Sequence, residues 1–107
     1  MTDTNPIFAE IEALLDDVTP RPLDEIEDTL TTGYAAALAL EAERWRIERR
    51  ISELAAELGA DADPELSRAH EIVGLAQRLS GTDADLIRLR GILGSLRDRA
   101  DAVRAAA

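Results

Sequence analysis

Apolar residues recur every three or four positions along a long stretch in the middle of the chain. This alternation keeps one apolar stripe on a single face of an α-helix and is typical of coiled-coil packing. The stripe consists of Leu23, Ile26, Leu30, Gly33, Ala37, Leu40, Arg44, Ile47, Ile51, Leu54 and Leu58. Asp24 and Glu27 stand at capping-box spacing near its beginning, and Gly59 follows its end. The pattern therefore predicts one helix over residues 23–58, about 54 Å long.

A shorter amphipathic pattern precedes the long one. Its apolar stripe consists of Ile7, Ile11, Leu14 and Val18, with acidic residues on the other side. The pattern predicts a helix over residues 6–18, with Asn5 as its N-cap and Pro6 at the first helical position. The segment 19–22 contains two prolines, which predicts a stiff corner because proline removes a backbone donor.

Two further helices are predicted in the second half of the chain, over residues 64–80 and 83–104. Gly81 is interpreted as the end of the first, and Thr82 or Asp83 as the N-cap of the second. The apolar stripe of the last helix consists of Leu86, Leu89, Leu93, Leu96, Ala100 and Val103.

These elements predict a single all-α domain over residues 1–107. The predicted fold is an antiparallel helical bundle of four helices (one short, one long and central, two medium) with coiled-coil-like packing, because short connections imply antiparallel neighbours. The two medium helices are expected to form a three-helix core around residues 47–58. Residues 23–43 are then left with the short helix alone, which packs either on its own chain or on a second copy. One short helix cannot cover this half, so the pattern predicts a homodimer.

The predicted dimer interface lies mainly on the N-terminal half of the long helix. It comprises Leu30, Gly33, Tyr34, Ala37, Leu38, Leu40, Glu41, Arg44 and Trp45. Arg44 falls on the apolar stripe, where it either pairs with an acid of a neighbouring helix or extends its long side chain to water. Tyr34 and Trp45 lie on one flank with Leu38 between them, as anchors for a partner or as ordinary core.

The net charge of −10 resides in the first two-fifths of the chain. Residues 1–43 hold eleven of the twenty-two acids and one of the twelve arginines, whereas the remaining acids and arginines cancel. This distribution argues against contact with phosphate backbones or anionic lipid and favours a basic protein partner at the acidic segment. The alternative is that the acids provide solubility and complement the positive ends of helix dipoles.

The main basic patch surrounds Trp45. Arg46, Arg49 and Arg50 are candidate phosphate contacts, because arginines interleaved with an aromatic residue can bind single-stranded nucleic acid. The alternative function is therefore a regulator that binds nucleic acid, or a nucleic-acid-binding protein, through residues 44–50. Glutamates three and four residues away favour a salt-bridged helix face instead.

Candidate chemistry elsewhere is sparse. The chain has no cysteine and one histidine, His70, so thiolate sites and histidine pairs are excluded, and no cofactor or metal is expected. Gly91, Gly94 and Ser95 indicate either a close helix crossing or tolerated glycines. No apolar run reaches membrane-spanning length and no signal peptide is evident, which predicts a cytoplasmic protein. The sequence thus predicts a protein–protein interaction or oligomerisation module rather than an enzyme.

Overall fold

The computed structural model shows an all-helical chain. It describes residues 3–16, 21–58 and 65–106. These residues form three α-helices and no strand: α1 is Asn5–Asp16, α2 is Leu23–Leu58 and α3 is Glu65–Ala106. The prediction of an all-α fold is confirmed. The predicted boundaries at Val18, Gly59 and Pro64 lie outside the described residues.

The first helix begins at its predicted cap, Asn5, one residue before the predicted first helical position. The Thr4 carbonyl accepts a hydrogen bond from the Phe8 N–H at 3.0 Å, and the Asn5 N–H donates to the Asp3 carboxylate at 3.1 Å. Asn5 is therefore already helical, and Asp3 and Thr4 supply the capping oxygens.

The long helix α2 begins and ends where its apolar stripe begins and ends. At its start the Pro22 carbonyl accepts hydrogen bonds from the N–H groups of Glu25 and Ile26, at 3.1 and 3.3 Å. Proline suits this position because it lacks an N–H and the chain there needs only an acceptor. Most of the stripe is buried inside the chain.

The prediction of four helices is wrong, because the segments 64–80 and 83–104 are parts of one continuous helix. Gly81 lies within α3 and does not end a helix. Thr82 is also helical and is only 8% exposed. Asp83, the other predicted cap, pairs with an arginine of α2 at 3.0 Å.

The apolar stripe of α3 explains why the helix does not break. The stripe crosses Gly81 with alternating steps of three and four: Leu75, Leu79, Thr82, Leu86, Leu89, Leu93, Leu96 and Ala100. A glycine inside a helix costs only about 1 kcal/mol relative to alanine. A break would instead turn the two halves of the stripe to different directions, so that they could no longer both pack on α2.

Helices α2 and α3 form a long antiparallel hairpin. Glu57 pairs with Arg68 at 3.2 Å near the end where α2 stops and α3 begins, which we call the hairpin end. Glu27 pairs with Arg104 at 3.2 Å near the opposite end, which we call the open end. These two pairs show that the helices are aligned side by side along their whole length.

The predicted three-helix core around residues 47–58 is also wrong. Among the described residues this half of α2 packs only on the first half of α3, in a small cluster of Ile47, Ile51, Leu54, Ile72, Leu75 and Leu79. The three-helix core lies at the open end, where α1 packs on both long helices. Its buried members are Ile7, Phe8, Ile11, Leu14, Ile26, Leu30, Ala37, Leu40, Leu86, Leu89, Leu93, Leu96 and Ala100. Once the last two predicted helices are one, no third helix remains for the hairpin end.

The molecule is a rod measuring 67 × 17 × 16 Å, with a radius of gyration of 19.2 Å. A compact chain of this length would have a radius of gyration of about 13 Å. Within the described residues, none of the helices combines the length and the hydropathy that crossing a membrane requires.

Candidate interaction surface

An open groove runs between α2 and α3 in the three-helix part of the rod. It has a volume of about 440 Å³ and is lined by Tyr34, Ala37, Leu38, Glu41, Arg90, Leu93, Gly94 and Arg97. It is hollow above Ala37 and Gly94 because these residues have little or no side chain. A β-carbon built at Gly94 would meet no atom within 4 Å. A helix could therefore approach both backbones closely here.

The groove and α1 lie on opposite sides of the hairpin. On the α1 side, Arg88 pairs with Glu12 and lies 4.2 Å from the centre of the Phe8 ring. On the groove side, Arg90 pairs with Glu41. Two residues correspond to about 200° around a helix, so Arg88 and Arg90 face opposite ways. One face of the α2–α3 pair is thus covered by α1, and the other is uncovered among the described residues.

Large apolar side chains project beside the groove from α2. Leu38 is 66% exposed, Trp45 is 58% exposed and Tyr34 is 43% exposed. Together with Glu41 they follow steps of four, three and four, which place them on one helix flank. The Arg49 guanidinium lies 5.2 Å from the centre of the Trp45 ring. We refer to Tyr34, Leu38, Trp45 and the groove as the uncovered face.

The predicted interface residues divide into two groups. Leu30, Gly33 and Leu40 are buried by packing within the chain. Tyr34, Leu38, Glu41 and Trp45 belong to the uncovered face, and Ala37 is buried in the core but also lines the groove. Arg44 takes both roles considered for it, because it is half-exposed and also pairs with Glu48 at 3.2 Å and Asp83 at 3.0 Å. The first helix packs on α2 and α3 of its own chain.

The α3 side of the groove was not predicted from the sequence. Arg90, Leu93, Gly94 and Arg97 could be assigned to it only after the register of α3 on α2 was known. The sequence signal was the pair Gly91 and Gly94, which indicated a close helix crossing as one of two alternatives. Gly94 lines the groove, whereas Gly91 is exposed outside it.

The uncovered face carries little unpaired charge. The Glu41 carboxylate is neutralised by Arg90, so the middle of the groove presents an ion pair rather than a free acid. Arg97 has no carboxylate partner among the described residues and sits on the groove rim. An apolar partner could cover this face without desolvating a lone carboxylate.

Four of the ten described acids in the first part of the chain pair with arginines of α3. Glu12, Glu27 and Glu41 each pair with an arginine in the second half of α3. Glu10 accepts a hydrogen bond from the buried Thr29 hydroxyl at 2.9 Å, which ties α1 to α2. Among the described acids of this part, Asp16, Asp24 and Asp28 have no partner for their carboxylates, and the Asp3 carboxylate accepts only from the Asn5 backbone N–H. These four are the described acids that remain for a basic partner.

The three candidate phosphate contacts do not share one site. Arg49 lies beside Trp45 and pairs with Glu53 at 3.3 Å. Arg46 and Arg50 instead line a smaller cleft of about 210 Å³ between α2 and α3, together with Glu43, Ile47, Leu75 and Arg78. Arg50 pairs with Glu71 at 3.4 Å, and Arg78 lies 3.8 Å from the buried Glu43 carboxylate. Carboxylates therefore offset much of the positive charge at this cleft.

The remaining candidate catalytic or metal-binding side chains do not form a cluster among the described residues. His70 is exposed on α3. Within the described ranges no three histidine or acidic side chains come close enough to hold a metal ion.

Comparisons of the chain with models of protein families, with curated proteins and with solved structures find no match. The function is therefore inferred from the geometry of the uncovered face.

Proposed function

We propose that the protein is a self-association module in which two copies dock through the uncovered face. The observation that carries this proposal is the open apolar groove between α2 and α3, flanked by the exposed Leu38 and Trp45. The proposal keeps the N-terminal half of α2 as the interface and adds the second half of α3 to it.

The face offers enough apolar surface to drive association. Burying a leucine or phenylalanine side chain contributes about 1.5–3 kcal/mol, and in a symmetric dimer each residue is buried twice. Leu38, Trp45 and Tyr34 are all available for this burial. Tyrosine and tryptophan are enriched among the residues that dominate the binding energy of interfaces.

A second copy fits the face because the face is complementary to itself. It presents projecting side chains, Tyr34 and Leu38, next to a hollow formed by Ala37 and Gly94. In a two-fold symmetric dimer the projections of each copy meet the hollow of the other. The same patch then supplies both halves of the contact.

The exposed area of the chain is large enough for an interface of this kind. The accessible surface is 6834 Å², whereas a compact monomer of 11.6 kDa would expose about 5,800 Å². The difference of about 1,000 Å² is comparable to the roughly 800 Å² that each partner buries in a standard interface. Dimerisation would bring the exposed area per chain to that of an ordinary globular protein.

The test replaces an exposed apolar residue of the face by a charge. Leu38→Glu should weaken association at least 100-fold, because each dimer loses two apolar contacts and gains two desolvated carboxylates. Mass from light scattering or sedimentation velocity at micromolar concentration should be twice 11.6 kDa for the unmodified chain and 11.6 kDa for the variant.

The matched control is Val73→Glu, since Val73 is also an exposed apolar residue, at 56%, but lies on α3 towards the hairpin end. This variant should remain a dimer, and both variants should keep the helical circular dichroism of the unmodified chain. A monomeric unmodified chain, or equal weakening by both substitutions, would refute the proposal.

A further inference from the structure

We infer that the two copies associate antiparallel, about a two-fold axis perpendicular to the rods and close to residues 38–41 of α2. This inference rests on the proposed self-association and specifies its geometry. Its product is a four-helix core in which two hairpins lie side by side, with each α1 on the outside.

The position of the uncovered face favours this arrangement. Tyr34 and Trp45 mark its two ends on α2, so its centre lies between residues 39 and 40. The midpoint of α2 lies between residues 40 and 41. An axis through the centre of the face therefore lets two antiparallel rods overlap along their full length, with Tyr34 of each copy level with Trp45 of the other.

The charge distribution argues against a parallel pair. Among the described residues, those up to position 43 carry ten acids and one arginine, and residues 85–106 carry three acids and five arginines. The open end thus has a formal charge of −9 + 2 = −7, whereas residues 44–84 of the sequence carry eight acids and six arginines, a formal charge of −2. A parallel dimer would place two ends of charge −7 side by side, and an antiparallel dimer places each beside a much less charged end.

Helix dipoles do not distinguish the two arrangements, because α2 and α3 of each rod run in opposite directions and their dipoles largely offset each other. The charge effect is reduced by salt, because the Debye length is about 8 Å at physiological ionic strength. We therefore expect the antiparallel preference to be strongest at low salt.

Spin labels on the two ends of the rod test the arrangement without changing the uncovered face. The chain has no cysteine, so Ala56→Cys and Ala102→Cys each introduce a single labelling site. Both positions are exposed. Ala56 lies about 25 Å along the rod from the inferred axis, at 1.5 Å per residue.

Pulsed dipolar spectroscopy of the labelled dimer should give a distance of about 50 Å between the two Ala56→Cys labels. In an equal mixture of the two labelled chains, a short distance of about 20–35 Å should appear between position 56 of one copy and position 102 of the other, given helix diameters of about 10 Å. A short distance between identical positions would show a parallel dimer and overturn this inference, while leaving self-association intact. The absence of any intermolecular distance, with a monomeric mass, would overturn both.

Discussion

At the scale of single residues, Gly33 is the point where all three helices meet. A β-carbon built at this position would overlap Leu93 Cδ2 of α3 and lie 3.5 Å from Ile11 Cδ1 of α1. The sequence placed Gly33 on the stripe of the long helix but could not show what it touches. Its neighbours come from segments more than twenty residues away, and their register depends on the whole hairpin. The missing side chain is what lets α1, α2 and α3 approach one another here.

Replacing Gly33 by alanine should therefore differ from the same change at an exposed helical glycine. Gly91→Ala should stabilise the protein by about 0.5–1 kcal/mol, since nothing lies within 4 Å of the added carbon and alanine favours the helix. At Gly33 the same gain is opposed by about 1–3 kcal/mol for displacing the buried Leu93 side chain. In urea denaturation, the free energy of unfolding of the Gly33→Ala variant should be at least 1 kcal/mol lower than that of the Gly91→Ala variant. Equal stabilisation by both changes would mean that the three helices are not in close contact at Gly33.

The surroundings of Arg44 could be predicted from the sequence, but its partner on the neighbouring helix could not. Its position on the stripe predicted that it would either pair with an acid of a neighbouring helix or reach water, and it does both. The acid on the neighbouring helix, Asp83, could not be identified because it was interpreted as an N-cap. That misassignment followed from reading Gly81 as the end of a helix.

At the scale of elements, the continuity of α3 is the main difference between the predicted and observed folds. Local signals favoured a break, because a glycine followed by Thr82 and Asp83 resembles the end of one helix and the cap of the next. The periodicity favoured continuity, since Leu79, Thr82 and Leu86 keep the spacing of the stripe. The periodicity decides because it is coupled to packing along all of α2, whereas a glycine costs only about 1 kcal/mol. The continuous spacing of the stripe was present in the sequence, but it was missed because one of its positions is a polar residue, Thr82.

Gly81→Ala tests this continuity directly. If Gly81 is an ordinary helical residue with open space around it, alanine should stabilise the protein by about 0.5–1 kcal/mol and should preserve its helical circular dichroism. If Gly81 instead ended a helix in the left-handed conformation, alanine would be destabilising by a similar amount. The exposed Gly74, also in α3, provides the matched control, because both glycines lack neighbours within 4 Å. Thermal and urea denaturation of the two variants should agree within about 0.5 kcal/mol.

At the scale of the whole molecule, the two halves of the rod differ in how many helices support them. Among the described residues, the open end has three helices and most of the buried core, and the hairpin end has two helices and a small cluster. The sequence predicted the opposite arrangement, because dividing α3 in two supplied the hairpin end with a helix that it does not have. The apolar stripe of α2 continues through both halves of the helix, so the stripe alone could not show which half has two other helices packed on it. Which half of α2 has more helices packed on it depends on the positions of α1 and α3. Contacts between segments far apart in the sequence determine these positions.

Hydrogen exchange should reveal this unequal support. Amides in residues 47–57 and 67–80 should exchange at least tenfold faster than those in residues 26–40 and 86–100, since local opening needs fewer apolar contacts to be broken there. Leu54→Ala and Leu89→Ala form a matched pair, with side chains 1% and 0% exposed. Each substitution should lower the free energy of local unfolding by about 2–5 kcal/mol. Leu54→Ala should accelerate exchange mainly in the hairpin end, whereas Leu89→Ala should accelerate it throughout, because the open end carries the part of the core on which the whole rod depends. Uniform protection along the unmodified chain, or uniform acceleration by Leu54→Ala, would mean that the rod unfolds as one cooperative unit and that its two ends are equally supported.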